Sequence, residues 1–401
     1  MTTPSGAALA PQATAAGRPQ PQTTAEPAGG PFIRHAPPGR RPMWSQAATY
    51  GLFFGPPMVS SPGWNRGYRI TYANTTNGSS GGVLQSTGAF LDIPQSVVQL
   101  LQLKDAWGTN LLAGPGWEML FLVQLVSGQF GIDWTRSPQN LPSWTGITAA
   151  TGAYSFASYL PFEFTKGYGL VSGANAALLP VLQQNIAATS TLFSTVPTGY
   201  GTTVTVSCDS DYYWLPNVPV DPPGIGTTCQ YIFQPCNPVI TSGNTVRVQF
   251  PRLGGYLTVI ALDLRDSTNA RLDAYAASPN RAQVYQDGVP IIDTTVPTWQ
   301  DDIAIQTGIG QGYGGAQTAA PTLTGMPRPA GVLLLNRKTA LAQRDFGLLD
   351  TGETFLSTNP GTQLEVNMSP WGTISNSPAT LNAVIGQVVP TGPLVQGLPE
   401  L

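Results

Sequence analysis

The side chains able to do acid–base or metal chemistry are almost all carboxylates. Asp209 and Asp211 stand two apart before Tyr212-Tyr213-Trp214, Asp221 follows, and Asp301-Asp302 lies beside Trp299. Two carboxylates flanking an aromatic platform could hydrolyse a glycosidic bond, one as acid and the other as base or nucleophile. Asp is more commonly a turn former, because its side chain accepts hydrogen bonds from nearby backbone. The turn reading is preferred here. The spacing of Asp209 and Asp211 also suits a calcium ion, but the glycine and distal glutamate of an EF-hand loop are missing. They remain the only metal candidates, and no catalytic residue or cofactor is expected.

Other chemistries fare worse. His35 is the single histidine and lies in a Pro- and Arg-rich stretch, poorly placed for a catalytic triad or a zinc site. Of the three cysteines, Cys229 and Cys236 are separated by six residues, with no Cys-x-x-Cys and no histidine nearby. Buried small hydrophobes are the preferred reading; a Cys229–Cys236 or a Cys208–Cys229 bridge is the alternative. The glycine-rich run 308–315 lacks the lysine and the strand-to-helix setting of a phosphate loop. Nine tryptophans could stack on sugars. Trp64, Trp107, Trp117 and Trp214 are instead read as filling cores or subunit contacts, where large aromatics are enriched.

The elements that would position these residues are short strands. Gly (45) and Pro (38) punctuate the 401 residues every few positions, which breaks helices and leaves strands joined by turns. A hydrophobic share of 41% is enough for a sizeable core. Eighteen basic against 21 acidic residues, with only Lys104, Lys166 and Lys338 as lysines, argue against a sequence-specific nucleic-acid partner. No apolar run approaches the roughly 18–20 residues of a membrane-spanning helix, and the first residues lack the basic and apolar regions of a secretory signal.

Along the chain, 1–43 reads as a flexible Pro/Ala/Arg arm whose Arg34, Arg40 and Arg41 could meet a neighbouring subunit, a lipid surface or a nucleic acid. Clean alternation predicts strands at 67–72, 201–207 running on into 211–216, 245–250, 255–264, 332–335 and 364–368. Residues 93–103 fit a strand or a short helix, and the apolar stretch 117–130 one long buried strand or two. Residues 133–202 read as long loops with a short strand at 162–164 and a helix within 174–188. Asp287-Gly288 supplies a hairpin turn. The proline-rich stretch around 217–226 marks a boundary. Two β-sandwiches in series follow, each of about eight strands: 44–220 and 229–375, joined by a linker at 221–228, with 376–401 as an extended tail.

The strand Tyr212-Tyr-Trp-Leu-Pro216 resembles an aromatic Tyr-Tyr-Trp-x-Pro strand late in the first barrel of the PRD1-like, double-jelly-roll major capsid proteins of tailless phages with an internal membrane. The order of a mobile N-terminal segment, a first barrel, a Pro-rich crossover and a second barrel is similar. The succession Gly331–Arg337, Arg344–Leu349 and Thr362–Met368 also looks like that family's closing strands. The resemblance implies an all-β double jelly roll of two eight-stranded sandwiches, in which Tyr212, Tyr213, Trp214 and Pro216 are structural. It implies a virion protein without enzymatic activity, assembled in the host cytoplasm as pseudo-hexameric homotrimers that tile an icosahedral shell. Loops within 135–200 and 297–328 would form towers or contacts. Its partners would be its own copies, penton, minor capsid and spike proteins, and the internal membrane through the arm. A phage spike or secreted carbohydrate-binding sandwich is the rival reading, and a glycosidase using an Asp pair a second.

Overall fold

A computed structural model of the chain describes residues 36–74, 78–85, 95–123, 151–163, 170–173, 177, 179–214, 227–236, 239–250, 256–269, 281–296, 298–299, 332–336, 356–357, 363–374 and 376–390. The first half supplies β1 (Pro38–Thr49), β2 (Phe53–Phe54), β3 (Trp64–Ala73), β4 (Val83–Leu84), β5 (Val98–Lys104) and β6 (Asn110–Gly114). It continues with β7 (Ser155–Pro161), β8 (Val171–Ser172), β9 (Val181–Ile186), β10 (Phe193–Thr195) and β11 (Thr203–Tyr213). The second half supplies β12 (Thr227–Pro235), β13 (Val246–Gln249), β14 (Tyr256–Arg265), β15 (Arg281–Gln286) and β16 (Val289–Thr295). Then follow β17 (Val332–Asn336), β18 (Leu356–Ser357), β19 (Leu364–Ser369) and β20 (Thr380–Pro390). The fold is predominantly β, as the composition demands.

The sheets interleave distant strands. One runs β1-β11-β3-β7, with β8 on β3; another runs β13-β19-β15-β16, and β4 pairs only with β10. The largest runs β17-β14-β20-β12-β6-β5-β9-β2, with β18 on β14. This sheet passes from one half of the chain to the other through a parallel pairing of β6 with β12, Leu112 opposite Tyr231 and Ala113 opposite Ile232.

Strand faces follow the alternation in the sequence. In β11, Val204, Val206, Cys208 and Ser210 are buried, while Thr205, Ser207, Asp209 and Asp211 face outward. Tyr68, Ile70 and Tyr72 of β3 are fully buried. Tyr72 stacks on Phe156 at 4.8 Å between ring centroids, and its hydroxyl donates to Gln184 Oε1 of β9 at 2.6 Å, tying the two sheets of this half. Each such aromatic contributes about 1.5–3 kcal/mol by leaving water. The hairpin at Asp287-Gly288 has positive φ at both residues, 50° and 79°, the backbone that a tight turn between twisted strands requires.

Four expectations need correction. The apolar stretch 117–130 opens as a helical turn, Glu118–Leu122, and not as a strand; a short run that is apolar all round suits a buried helix as well as a buried strand. Residues 174–188 are not one helix: Ala177 has 3-10 helical geometry, but Val181–Ile186 is strand β9, with Leu182, Gln184 and Ile186 inward. The strand expected at 162–164 lies just upstream, at Ser155–Pro161, and β7 and β9 also take part of the 135–200 segment assigned to towers. Most important, 376–401 is not a tail throughout, since β20 pairs with β12 on one side and β14 on the other. Its run Leu381–Val389 is apolar apart from Asn382 and Gln387, but the flanking Pro378 and Pro390 and the internal Gly386 disguise it as punctuation.

The arm boundary expected at 43 falls inside β1, which pairs with β11 from Pro38 onward. The linker 221–228 lies outside the described residues as far as Gly226, and the loop segment 297–328 lies outside them except for Thr298 and Trp299. Of the expected closing strands, 332–335 and 364–368 are β17 and β19, while 346–349 lies outside the described residues.

Candidate assembly surfaces

Asp209 and Asp211 point outward from β11, with Arg40 opposite Asp211 on β1 and Arg69 opposite Asp209 on β3. Arg40 donates from Nε to Asp211 Oδ1 at 2.5 Å and from Nη2 to Oδ2 at 3.0 Å. That fork raises the Arg40 pKa, chiefly through the hydrogen bonds to Asp211. Asp211 is therefore engaged by a guanidinium. Among the described residues, no group of three or more His, Cys, Asp or Glu comes together. Asp221, Asp301, Asp302, Arg34 and His35 lie outside the described residues; Arg41 sits on β1 opposite Ser210.

The aromatic strand end is packed at two positions and open at the third. Tyr212 and Tyr213 are buried, whereas Trp214 is 45% exposed. Tyr212 and Trp214 meet edge to face at 5.3 Å above Gly39, where an added Cβ would lie 2.8 Å from Trp214 Nε1. A side chain there would displace the pair. Tyr213 donates to Glu163 Oε1 at 3.0 Å, Arg66 donates to Glu163 Oε2 at 2.7 Å, and the Arg66 guanidinium sits 4.6 Å from the Tyr213 ring centroid. Burial, then the Glu163 charge, pushes the Tyr213 phenol well up. These are structural contacts. Pro216 lies outside the described residues.

Sequence reasoning missed the most deeply buried charges. Arg265, at the end of β14, donates to Asp263 Oδ2 at 2.5 Å, to Glu118 Oε1 at 3.3 Å and to the Asn269 carbonyl at 3.2 Å. Its guanidinium also lies 5.4 Å from the Trp117 ring. Arg265, Asp263 and Glu118 are all at most 5% exposed. The cluster joins the helical turn after β6 to β14, and so one half of the chain to the other. One signal was available: Glu118 is an acid inside an otherwise apolar run, and a buried carboxylate needs a cationic partner.

Cys208 is buried, Cys236 is half-buried, and both are free thiols, so neither proposed bridge forms. Of the tryptophans weighed as sugar platforms, Trp117 is buried, Trp64 packs beside Tyr213, and Trp107 stands exposed on the turn between β5 and β6. A cleft of about 470 Å³ opens on the β13-β19-β15-β16 sheet between Arg247, Tyr285, Asp287 and Glu365. Its charges are already used: Arg247 is paired with Glu365, and Asp287 accepts the Gln363 N–H at 2.7 Å.

What remains open is backbone. Among the described strands, β1 has a partner only on its β11 side and β16 only on its β15 side. Most of β1 is exposed. Large apolar side chains are also exposed near strand ends, among them Phe53 on the edge strand β2, Val181 at the start of β9 and Val289 at the start of β16. These are the surfaces at which another polypeptide could add.

No family model matches the chain, and no curated protein matches it in sequence. Solved structures do match in fold. The STIV MCP superposes with a TM-score of 0.59 at 12% identity, covering 91% of this chain and 100% of the other. A chain from the atomic structure of Sulfolobus Turreted Icosahedral Virus gives 0.55 at 13%, covering 90% and 92%. The PBCV-1 virus capsid gives 0.52 at 11%, covering 88% and 93%. The protein therefore shares the fold of these viral capsid chains over nearly its whole length.

Proposed function

We propose that the chain is a structural subunit, the major capsid protein of an icosahedral virion, built as a double jelly roll and assembling as pseudo-hexameric homotrimers around an internal membrane. One observation carries the proposal: the same strand order occurs twice. In the first half, the first, last, third and sixth main strands lie side by side as β1-β11-β3-β7, and the second, seventh, fourth and fifth as β2-β9-β5-β6. The second half repeats this as β12-β20-β14-β17 and β13-β19-β15-β16. This repeated order supports a winding as two eight-stranded jelly rolls, with β1–β11 as one roll and β12–β20 as the other. The fold shared with the STIV MCP and the PBCV-1 virus capsid supports the same reading.

Two similar rolls per chain make six wedges from three chains, which suits a hexagonal tile. A linker cut back to 221–226, since Thr227 and Thr228 already open β12, would connect the rolls. Arg34 and Arg41 would serve as inner-face or neighbour contacts of the arm, and Arg40, fixed by Asp211, would anchor its exit. Penton, minor capsid and spike proteins would border the tiles, and assembly would take place in the host cytoplasm. Nothing in this role needs a catalytic residue. Light scattering on the purified full chain tests it: a mass of three chains is expected, and a monomer at every concentration would refute it.

A further inference from the structure

The two rolls are joined by the edge of one sheet meeting the edge of another. The fifth strand of the first roll, β6, lies parallel to the first strand of the second roll, β12. The counterpart of β12 in the first roll is β1, and the counterpart of β6 in the second roll is β16. Both have an open flank among the described strands. The chain thus carries one half of the same joint at each of two free edges.

We infer that β16 of one copy pairs in parallel with β1 of the next, repeating between chains the joint that β6 and β12 make within a chain. The inference rests on the trimer reading above. Three copies then give three internal and three intermolecular joints, and this head-to-tail contact closes into a ring with neither edge left over.

The composition of β1 fits this role. An open edge is normally guarded by charge or proline, and Pro38, Arg40, Arg41 and Pro42 guard the first part of β1. Met43–Thr49 has no charge and no proline. In β12 the contact residues Tyr231 and Ile232 lie four and three positions before the strand ends at Pro235. The same offsets before Thr49 give Ser45 and Gln46, inside the unguarded stretch. In β6 the contact residues are the third and fourth of the strand; in β16 these positions are Ile291 and Ile292, both half-buried.

Cysteine cross-linking tests the pairing. Ser45→Cys or Gln46→Cys is combined with Ile291→Cys or Ile292→Cys in the full chain, so that both strand faces are sampled, and the oxidised proteins are run without reductant. Ala113→Cys with Ile232→Cys, directly opposite one another at the internal joint, is the positive control, read by peptide mass. At least one double variant is expected to give covalent dimers and trimers, with no ladder from the single variants. A wild-type trimer whose double variants stay uncross-linked while the control closes would overturn the pairing and leave the trimer standing. Covalent dimers from a β1 single variant would overturn it in favour of β1 meeting β1. A wild type that is monomeric by light scattering would overturn the trimer, and the pairing with it.

Discussion

At the residue scale, the most consequential contact is the buried Arg265 cluster. Removing the guanidinium takes a buried cationic partner from both Asp263 and Glu118. Arg265→Ala is therefore expected to cost about 3–5 kcal/mol, read as a lower denaturant midpoint. Arg40→Ala, which removes a pair whose arginine is half exposed, is expected to cost about 0.2–1 kcal/mol in the same assay. If the two losses were equal, the cluster would not be the tie between the halves. Thiol chemistry gives a second check. Burial pushes the Cys236 thiol up to about 11, so its thiolate fraction at pH 8 is on the order of 100-fold below that of a thiol near 9. Slow alkylation of Cys236 in the native protein, accelerating as the pH rises toward 11, is the expected outcome by peptide mass spectrometry. Asp209 and Asp211 were legible as a pair but not as to role, because the arginines beside them come from β1 and β3, about 170 and 140 positions away in sequence.

At the element scale, period-2 strands were the readable part. β3, β11, β14 and β19 stand where alternation or β-branched runs put them, since the same pattern that buries one face is visible in the residues. β20 was missed because Pro378, Gly386 and Pro390 look like loop punctuation, and because a strand at the centre of a sheet is apolar on both faces and does not alternate. The helical turn after β6 was missed for a related reason: all-round burial erases periodicity. Ala383→Asp tests the placement of β20. Ala383 is fully buried, so the carboxylate is expected to cost about 3 kcal/mol or more, read by thermal melting; an unchanged melting temperature would mean that the segment is peripheral. The strand order within the sheets was beyond sequence reasoning, because β1 and β11, or β12 and β20, are neighbours only once the whole chain has folded.

At the scale of the whole molecule, the repeated winding explains features that no single residue explains. It accounts for the nine-stranded sheet that crosses from one half to the other and for the open flanks of β1 and β16 among the described strands. The sequence shows two halves of similar size but no repeat, since a repeated strand order needs only apolar faces at matching positions and not matching residues. The most direct test is cryo-electron microscopy of the purified oligomer viewed down its symmetry axis. The expected image is a threefold particle with six barrel-like densities around a closed ring. A particle with any other number of barrels, or a lone chain with two, would contradict the account.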